Sequence, residues 1–236
     1  MANNIVVNKN NLSFIVEDSE ELHQDKGYNF WSEKYSSWET GTFKILDTYL
    51  SKDKDYLDIG AWVGPTAIYG SFLSRKVIAV EPDPIAYKIL QKNVALNSIK
   101  NIELINKAAS KLEQVFLESS HFFGDSMTRV SEMNTGSHAT ETVGLDKLIS
   151  MGDFSLIKID IEGHEFSLIK EYINILNKCK IPLLLSIHAP FFNNGETLMQ
   201  DLLNNMSSTK SIFNEDGKEI NRKTITNSFG SYLFIW

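Results

Sequence analysis

Cysteine is nearly absent from this 236-residue chain. The single one, Cys179, excludes an intrachain disulfide and a cysteine-rich zinc site and agrees with a reducing compartment. Long apolar runs are missing too; none approaches the ~20 residues needed to cross a bilayer. The opening stretch, residues 1–11, lacks the apolar core of a signal peptide, so a cytoplasmic protein is expected. Lys and Arg number 23 against 30 Asp and Glu, a net charge of −7 with no basic cluster. A general nucleic-acid binder needs clustered cations for its phosphate contacts. The Gly-x-Gly-x-x-Gly turn of dinucleotide-binding folds is also lacking, which disfavours an NAD-dependent oxidoreductase. What remains is an ordinary soluble composition, 42% hydrophobic and 22% charged, of a length suited to one α/β domain with additions.

The informative stretch runs from Asp55 to Glu81. Tyr56, Leu57 and Ile59 form a short apolar run ending at Gly60, and Ala61-Trp62-Val63-Gly64 makes a turn. Pro65 suits the first turn of a helix, where its missing N–H costs nothing. Val77 to Val80 is a second buried strand, stopping at Glu81. Two strands joined by a helix predict a parallel, right-handed βαβ unit whose ligand lies outside the carboxyl ends of the strands. Those ends carry Asp58, Gly60 and Glu81. Glycines let the backbone come close to a ligand, and an acidic residue ~20 positions on accepts ribose hydroxyls. Asp58, however, stands where a pyrophosphate would need to approach. The pattern therefore favours a ribose-bearing ligand with a cationic part and no phosphate, a description that S-adenosylmethionine (SAM) fits.

Further along, Phe154 to Ile159 reads as a strand ending at Asp160, and Ile181 to Ile187 as one followed directly by His188. In a doubly wound sheet these ends lie beside the first strand, next to the reactive part of a bound cofactor. His188 is a candidate general base near neutral pH, with Asp160 as its partner or the reverse; a histidine that is only structural is an equal alternative. Glu162 and Glu165 read as acids complementing the start of a helix, and Lys158 as an in-strand cation paired with a carboxylate. Ile5 to Val16, broken by Asn8-Lys9-Asn10-Asn11, predicts an N-terminal hairpin. Residues 18–36, with His23, Tyr28, Phe30, Trp31 and Tyr35, read as a lid packed on the domain for most of these aromatics, with one wall of the active site as the alternative. Residues 119–140 are a long polar loop of the functional or mobile kind. Its His121, Asp125 and His138 are too scattered to suggest metal ligands, and no metal site is expected.

Asp58-Ile-Gly60-Ala61-Trp62-Val63-Gly64, Glu81-Pro82-Asp83-Pro84 and Ile157-Lys158-Ile159-Asp160-Ile161-Glu162-Gly163-His164-Glu165 together resemble the FkbM family of SAM-dependent methyltransferases, over residues 38–169. Trp62 is a departure, since the family usually carries a smaller, often polar residue there. The resemblance implies a Rossmann-like class I methyltransferase fold: α/β, with a mostly parallel seven-stranded sheet and an antiparallel edge strand. Residues 1–37 form the hairpin and cap, and 38–236 the catalytic domain. It implies that Asp58, Gly60, Ala61 and Gly64 cradle the methionine part of SAM and that Glu81 holds the ribose. It adds Glu39, followed by Thr42, as a residue near the cofactor, though helix-start chemistry explains that pair equally well. Asn106, after the third strand, is a candidate contact to the adenine edge. The reaction implied is O-methylation of a sugar or other small-molecule hydroxyl, with neither nucleic acid nor membrane as partner and self-association left open. A non-catalytic SAM- or nucleoside-binding module is the alternative.

Overall fold

The computed structural model describes residues 3–18, 29–119, 123–131 and 138–236; His23, Tyr28 and His121 lie outside them. Strands β1 (Asn3–Lys9) and β2 (Leu12–Asp18) form the expected antiparallel hairpin, turned at Asn10 with φ 50°. A π-type turn over Phe30–Lys34 then leads into helix α1 (Thr40–Tyr49). From there strands and helices alternate through β3 (Asp55–Ile59), α2 (Pro65–Ser71), β4 (Lys76–Val80), α3 (Pro84–Leu96) and β5 (Ile102–Ile105). Pro65 and Pro84 sit in the first turns of their helices. Asp83 caps α3, its side chain accepting from the N–H groups of Ile85 and Ala86 at 2.8 and 3.1 Å.

Four short strands follow: β6 (Ala108–Ala109), β7 (Gln114–Glu118), β8 (Arg129–Ser131) and β9 (His138–Val143). They form a small sheet in the order β6-β9-β7-β8. β8 and the start of β9 lie inside the stretch read as a loop. Helix α4 (Leu145–Ser150), strand β10 (Phe154–Ile159), helix α5 (Glu165–Cys179), strand β11 (Leu183–Ile187), helix α6 (Gly195–Asn205) and strands β12 (Ser211–Asn214) and β13 (Gly230–Ile235) complete the chain.

The main sheet has seven strands in the order β12-β13-β11-β10-β3-β4-β5. β11, β10, β3, β4 and β5 are mutually parallel, while β13 runs antiparallel to both of its neighbours. The sheet is thus mixed, and its antiparallel strand lies one place in from the edge, which corrects the expected edge position. Strand periodicity sends alternate residues to opposite faces. Leu57, Ile59, Ile157 and Ile159 face α4, α5 and α6, whereas Tyr56, Val77, Leu156 and Leu184 face α1 to α3 and the hairpin. Each of these side chains is fully buried, a gain of ~1.5–3 kcal/mol apiece before entropy.

The hairpin is fastened to the same core. Phe14 and Val16 pack with Trp31, Tyr35 and Phe43. Lys9 is buried and donates to the carbonyls of Tyr35, Ser36 and Trp38, with its ammonium 4.2 Å from the Phe43 ring centre. Burial depresses its pKa, and Glu39 opposes the shift. This lysine fixes the turn that delivers Glu39, which itself adopts a left-handed φ of 44°.

Candidate active site

The carboxyl ends of β3, β4, β10 and β11 open on one cavity of about 470 Å³, within the usual range for small-molecule sites. At the end of β3, the N–H groups of Gly60 and Ala61 donate to the carbonyl of Val80. Gly60 has φ +82°, and a Cβ there would fall 1.7 Å from the carbonyl oxygen of Asp160. The glycine therefore lets the ends of β3 and β10 close together as well as leaving room on the cavity side. Gly64, at φ +100°, starts α2, and a Cβ would meet Leu90 at 2.6 Å; it packs helix against helix and does not line the cavity. Ala61 does line it.

Glu81 ends β4 with its carboxylate facing the same space. One oxygen accepts from the N–H of Trp62 at 2.7 Å and the other from that of Asp83 at 2.8 Å. Burial, reinforced by Asp83 and Asp58, pushes its pKa up to about 8 against these two bonds. Trp62 fits this turn by three contacts: its left-handed backbone presents the N–H to Glu81, its indole donates to the carbonyl of Gly124 at 2.9 Å, and its ring meets Phe30 at 4.7 Å. The segment 123–128 is held from below by Asp83, which accepts from the N–H of Gly124 and the hydroxyl of Thr128. Asp125 and Ser126 of that segment join the wall, while His138 packs against Phe123. Asn106 does not line the cavity. Its amide donates to the carbonyls of Glu81 and Pro82 at 2.8 and 3.2 Å, clasping the end of β4.

A buried ion network lies under the floor. Lys158 stands opposite Asp58 in the β10–β3 register, with its ammonium 3.6 Å from Asp58 and 3.2 Å from Asp160. Burial works against its charge, but Asp160, Asp58 and Glu39 hold its pKa above the usual lysine range. Asp58 accepts from Thr66 at 2.7 Å; burial raises its pKa in spite of Lys158. For Asp160 burial acts upward and is outweighed by Lys158 and His188, leaving a lowered value. Glu39 is pushed up to about 7, by burial first and then by Asp160. One ammonium thus serves three carboxylates. An oxygen of Glu39 and one of Asp58 are buried without a hydrogen-bond donor.

His188, just past β11, is oriented by Glu165 and not by Asp160. The fully buried Glu165 carboxylate accepts from the His188 backbone N–H at 2.7 Å, lies 3.2 Å from Nδ1, and also accepts from the N–H of Gly163. Nε2 then faces Glu162 at 3.4 Å and Asp160 at 3.7 Å. Burial lowers the imidazole pKa, but these carboxylates, Glu165 foremost, raise it overall to about 9. Burial lifts Glu162 to about 8. His164 lines the cavity and is 8% exposed, with neither ring nitrogen hydrogen-bonded; burial lowers its pKa. Glu162 was missed as a cavity residue because it read as helix-start chemistry, and His164 because it was read only as part of the third motif. The signal that finds them is strand-end placement two and four residues past Asp160.

The model of the methyltransferase FkbM domain matches residues 58–217. This chain belongs to the FkbM methyltransferase family. Among curated proteins, the FkbM chain is 26% identical over 154 residues to the hexuronic acid methyltransferase AglP of Haloferax volcanii, covering 64% of this chain and 63% of that protein. It is 28% identical over 146 residues to the ribosomal protein L11 methyltransferase of Alkaliphilus oremlandii, covering 57% and 46%. The chain therefore spans between about half and three fifths of these relatives' own lengths. In solved structures, the T. thermophilus 16S rRNA methyltransferase RsmC, in complex with AdoMet and guanosine, superposes with a TM-score of 0.52 at 12% identity, over 99% of this chain and 50% of that one. At that identity the likeness concerns the fold. Among the described residues, no helix of this FkbM protein is long and apolar enough to cross a membrane.

Proposed function

We propose that this FkbM protein transfers a methyl group from SAM to a hydroxyl of a sugar or other small metabolite. The observation that carries this reading is the convergence of Glu81, Glu39, Asp160 and His188 on one cavity from four separate chain segments. Its residues fit the cofactor. Each Glu81 oxygen has spent one lone pair on a backbone N–H and keeps capacity for a ribose hydroxyl. The unpartnered Glu39 oxygen suits an amino group, and the acidic surroundings suit a sulfonium. Gly60 and Ala61 bring the backbone close; Asp58 acts from beneath, anchoring Lys158, and Gly64 holds α2 in place. The aromatic side chains of Phe30, Trp38 and Trp62 supply apolar wall.

Bound there, SAM would supply a methyl group on a sulfonium; SAH would leave as the S–C bond gives way to the new O–C bond, and the acceptor's proton would pass to Asp160 or His188. The protein's share is alignment of donor and acceptor. Asp160 and His188, at the adjoining strand ends, meet the acceptor hydroxyl. Support for a sugar acceptor comes from the hexuronic acid methyltransferase relative and from a cavity whose polar lining includes carboxylates, imidazoles, serine and threonine hydroxyls and the Arg129 guanidinium, which bind hydroxyls.

The test is calorimetric titration with SAM, S-adenosylhomocysteine (SAH) and NAD, followed by methyl transfer to a panel of sugars, uronic acids and small alcohols. SAM and SAH binding without NAD binding, and label transferred to an oxygen, is the expected result. SAM binding with no transfer across the panel favours a binding module, and failure to bind SAH overturns the reading.

A further inference from the structure

We infer that Asp160, Glu162 and His188 form a binding site for a divalent cation of the Mg²⁺/Mn²⁺ class at the acceptor side of the cavity. This rests on the proposed methyltransferase reading for its role, but not for its existence. One ligand atom from each of the three residues lies within 4.8 Å of the others. Nε2 of His188 is 3.4 Å from Glu162 and 3.7 Å from Asp160, beyond the ~2.7–3.2 Å of an N–H···O bond. Ligands bound to one Mg²⁺ or Mn²⁺ at ~2.1 Å stand about 3.0 Å apart at adjacent octahedral corners, so these side chains would close by less than ~1 Å around an ion.

The histidine is prepared for that duty. Its Nδ1 is engaged by the buried Glu165, which leaves Nε2 to point at the two carboxylates. A carboxylate holding the far nitrogen of a ligating imidazole is the usual outer support of a metal site. A second, independent observation comes from His164. It is more than nine-tenths buried, lines the same cavity, and has both nitrogens without a partner. Such a side chain calls for a ligand polar group, and water or an acceptor hydroxyl carried by the ion supplies one. Lys158 lies beside Asp160 and is shared with Asp58 and Glu39, so its charge is divided among several carboxylates. One imidazole with two carboxylates is a hard-to-borderline donor set, which favours Mn²⁺ or Mg²⁺ over soft metals. An ion there would bind the acceptor oxygen, lower the pKa of its hydroxyl and fix it facing the methyl donor.

The experiment uses the whole chain after chelator treatment and dialysis, titrated with Mn²⁺ and followed by electron paramagnetic resonance of the free ion, with and without SAH. One Mn²⁺ bound per chain is expected, weakened roughly 10–100-fold in Glu162→Gln and in His188→Ala, with an unchanged far-UV circular dichroism spectrum in both variants as evidence of folding. No Mn²⁺ binding by the wild type, or equal binding by Glu162→Gln, overturns the inference. Methyl transfer that persists undiminished after chelation overturns the ion's role in the reaction while leaving the methyltransferase reading intact. Loss of SAH binding in the wild type instead strikes that reading and leaves the ion site to be judged on Mn²⁺ alone.

Discussion

Glu81 is where proton binding and ligand binding compete. Its folded-state pKa of about 8 lies far above the ordinary glutamate value, because the carboxylate is buried with Asp83 and Asp58 nearby. A raised carboxyl pKa means that the folded chain binds the proton more tightly than the unfolded one. Its contribution to stability is complete below the unfolded value, near ~4.5, and is lost as pH rises through about 8. Ribose recognition has the opposite sign, since the ionised carboxylate is the better acceptor. SAH affinity is therefore expected to rise between about pH 6.5 and 9, a rise that calorimetry should find flattened in Glu81→Gln. Truncation by Glu81→Ala removes charge-assisted hydrogen bonds worth about 1.5–3 kcal/mol, an expected loss of ~10–150-fold in SAH affinity. Trp62→Phe keeps an aromatic side chain and loses the indole bond to Gly124. A loss of roughly 3–10-fold in SAH affinity is expected, the worth of one neutral hydrogen bond. The residue types at Asp58, Gly60, Glu81, Asp160 and His188 were legible in the sequence because strand ends follow from pattern. The link from Glu165 to His188 was not, since 23 residues of helix and strand separate them and only the sheet order brings them together.

At the scale of elements, the hairpin acts through a single lysine. Lys9→Met keeps the apolar stem but leaves the carbonyls of Tyr35, Ser36 and Trp38 without their donor. A destabilisation of about 2–4 kcal/mol is expected, or roughly 4–16 °C in Tm for a chain of this size. SAH affinity should weaken with it, because the same turn carries Glu39. Calorimetry on the two proteins checks both effects. Helices α3 and α5 and strands β3, β4 and β10 were readable because each pairs a clear apolar period with a terminal signal such as Asp83-Pro84. The two-residue β6 and three-residue β8 were not, since strands that short carry no measurable period. The seat of β13 was equally hidden: its apolar run announces a strand, but nothing local in it says which two strands will flank it.

Over the whole molecule, a ligand that bridges the ends of β3, β4 and β10 stabilises the sheet by mass action. At a hundredfold excess over its Kd, SAH should add about 2.7 kcal/mol, a rise of roughly 5–11 °C in Tm. NAD at the same concentration should leave the melting curve where it was, and differential scanning calorimetry distinguishes the two. The order of the sheet also sets a timetable for synthesis. β12 leaves the ribosome before β13, and its one other pairing among the described residues is a local bridge from Phe213 to Glu219, so its inner edge waits open, like that of β11, until β13 slots between them. For that interval the nascent chain exposes two bare strand edges. A stall between residues 214 and 230 would therefore be its most aggregation-prone moment.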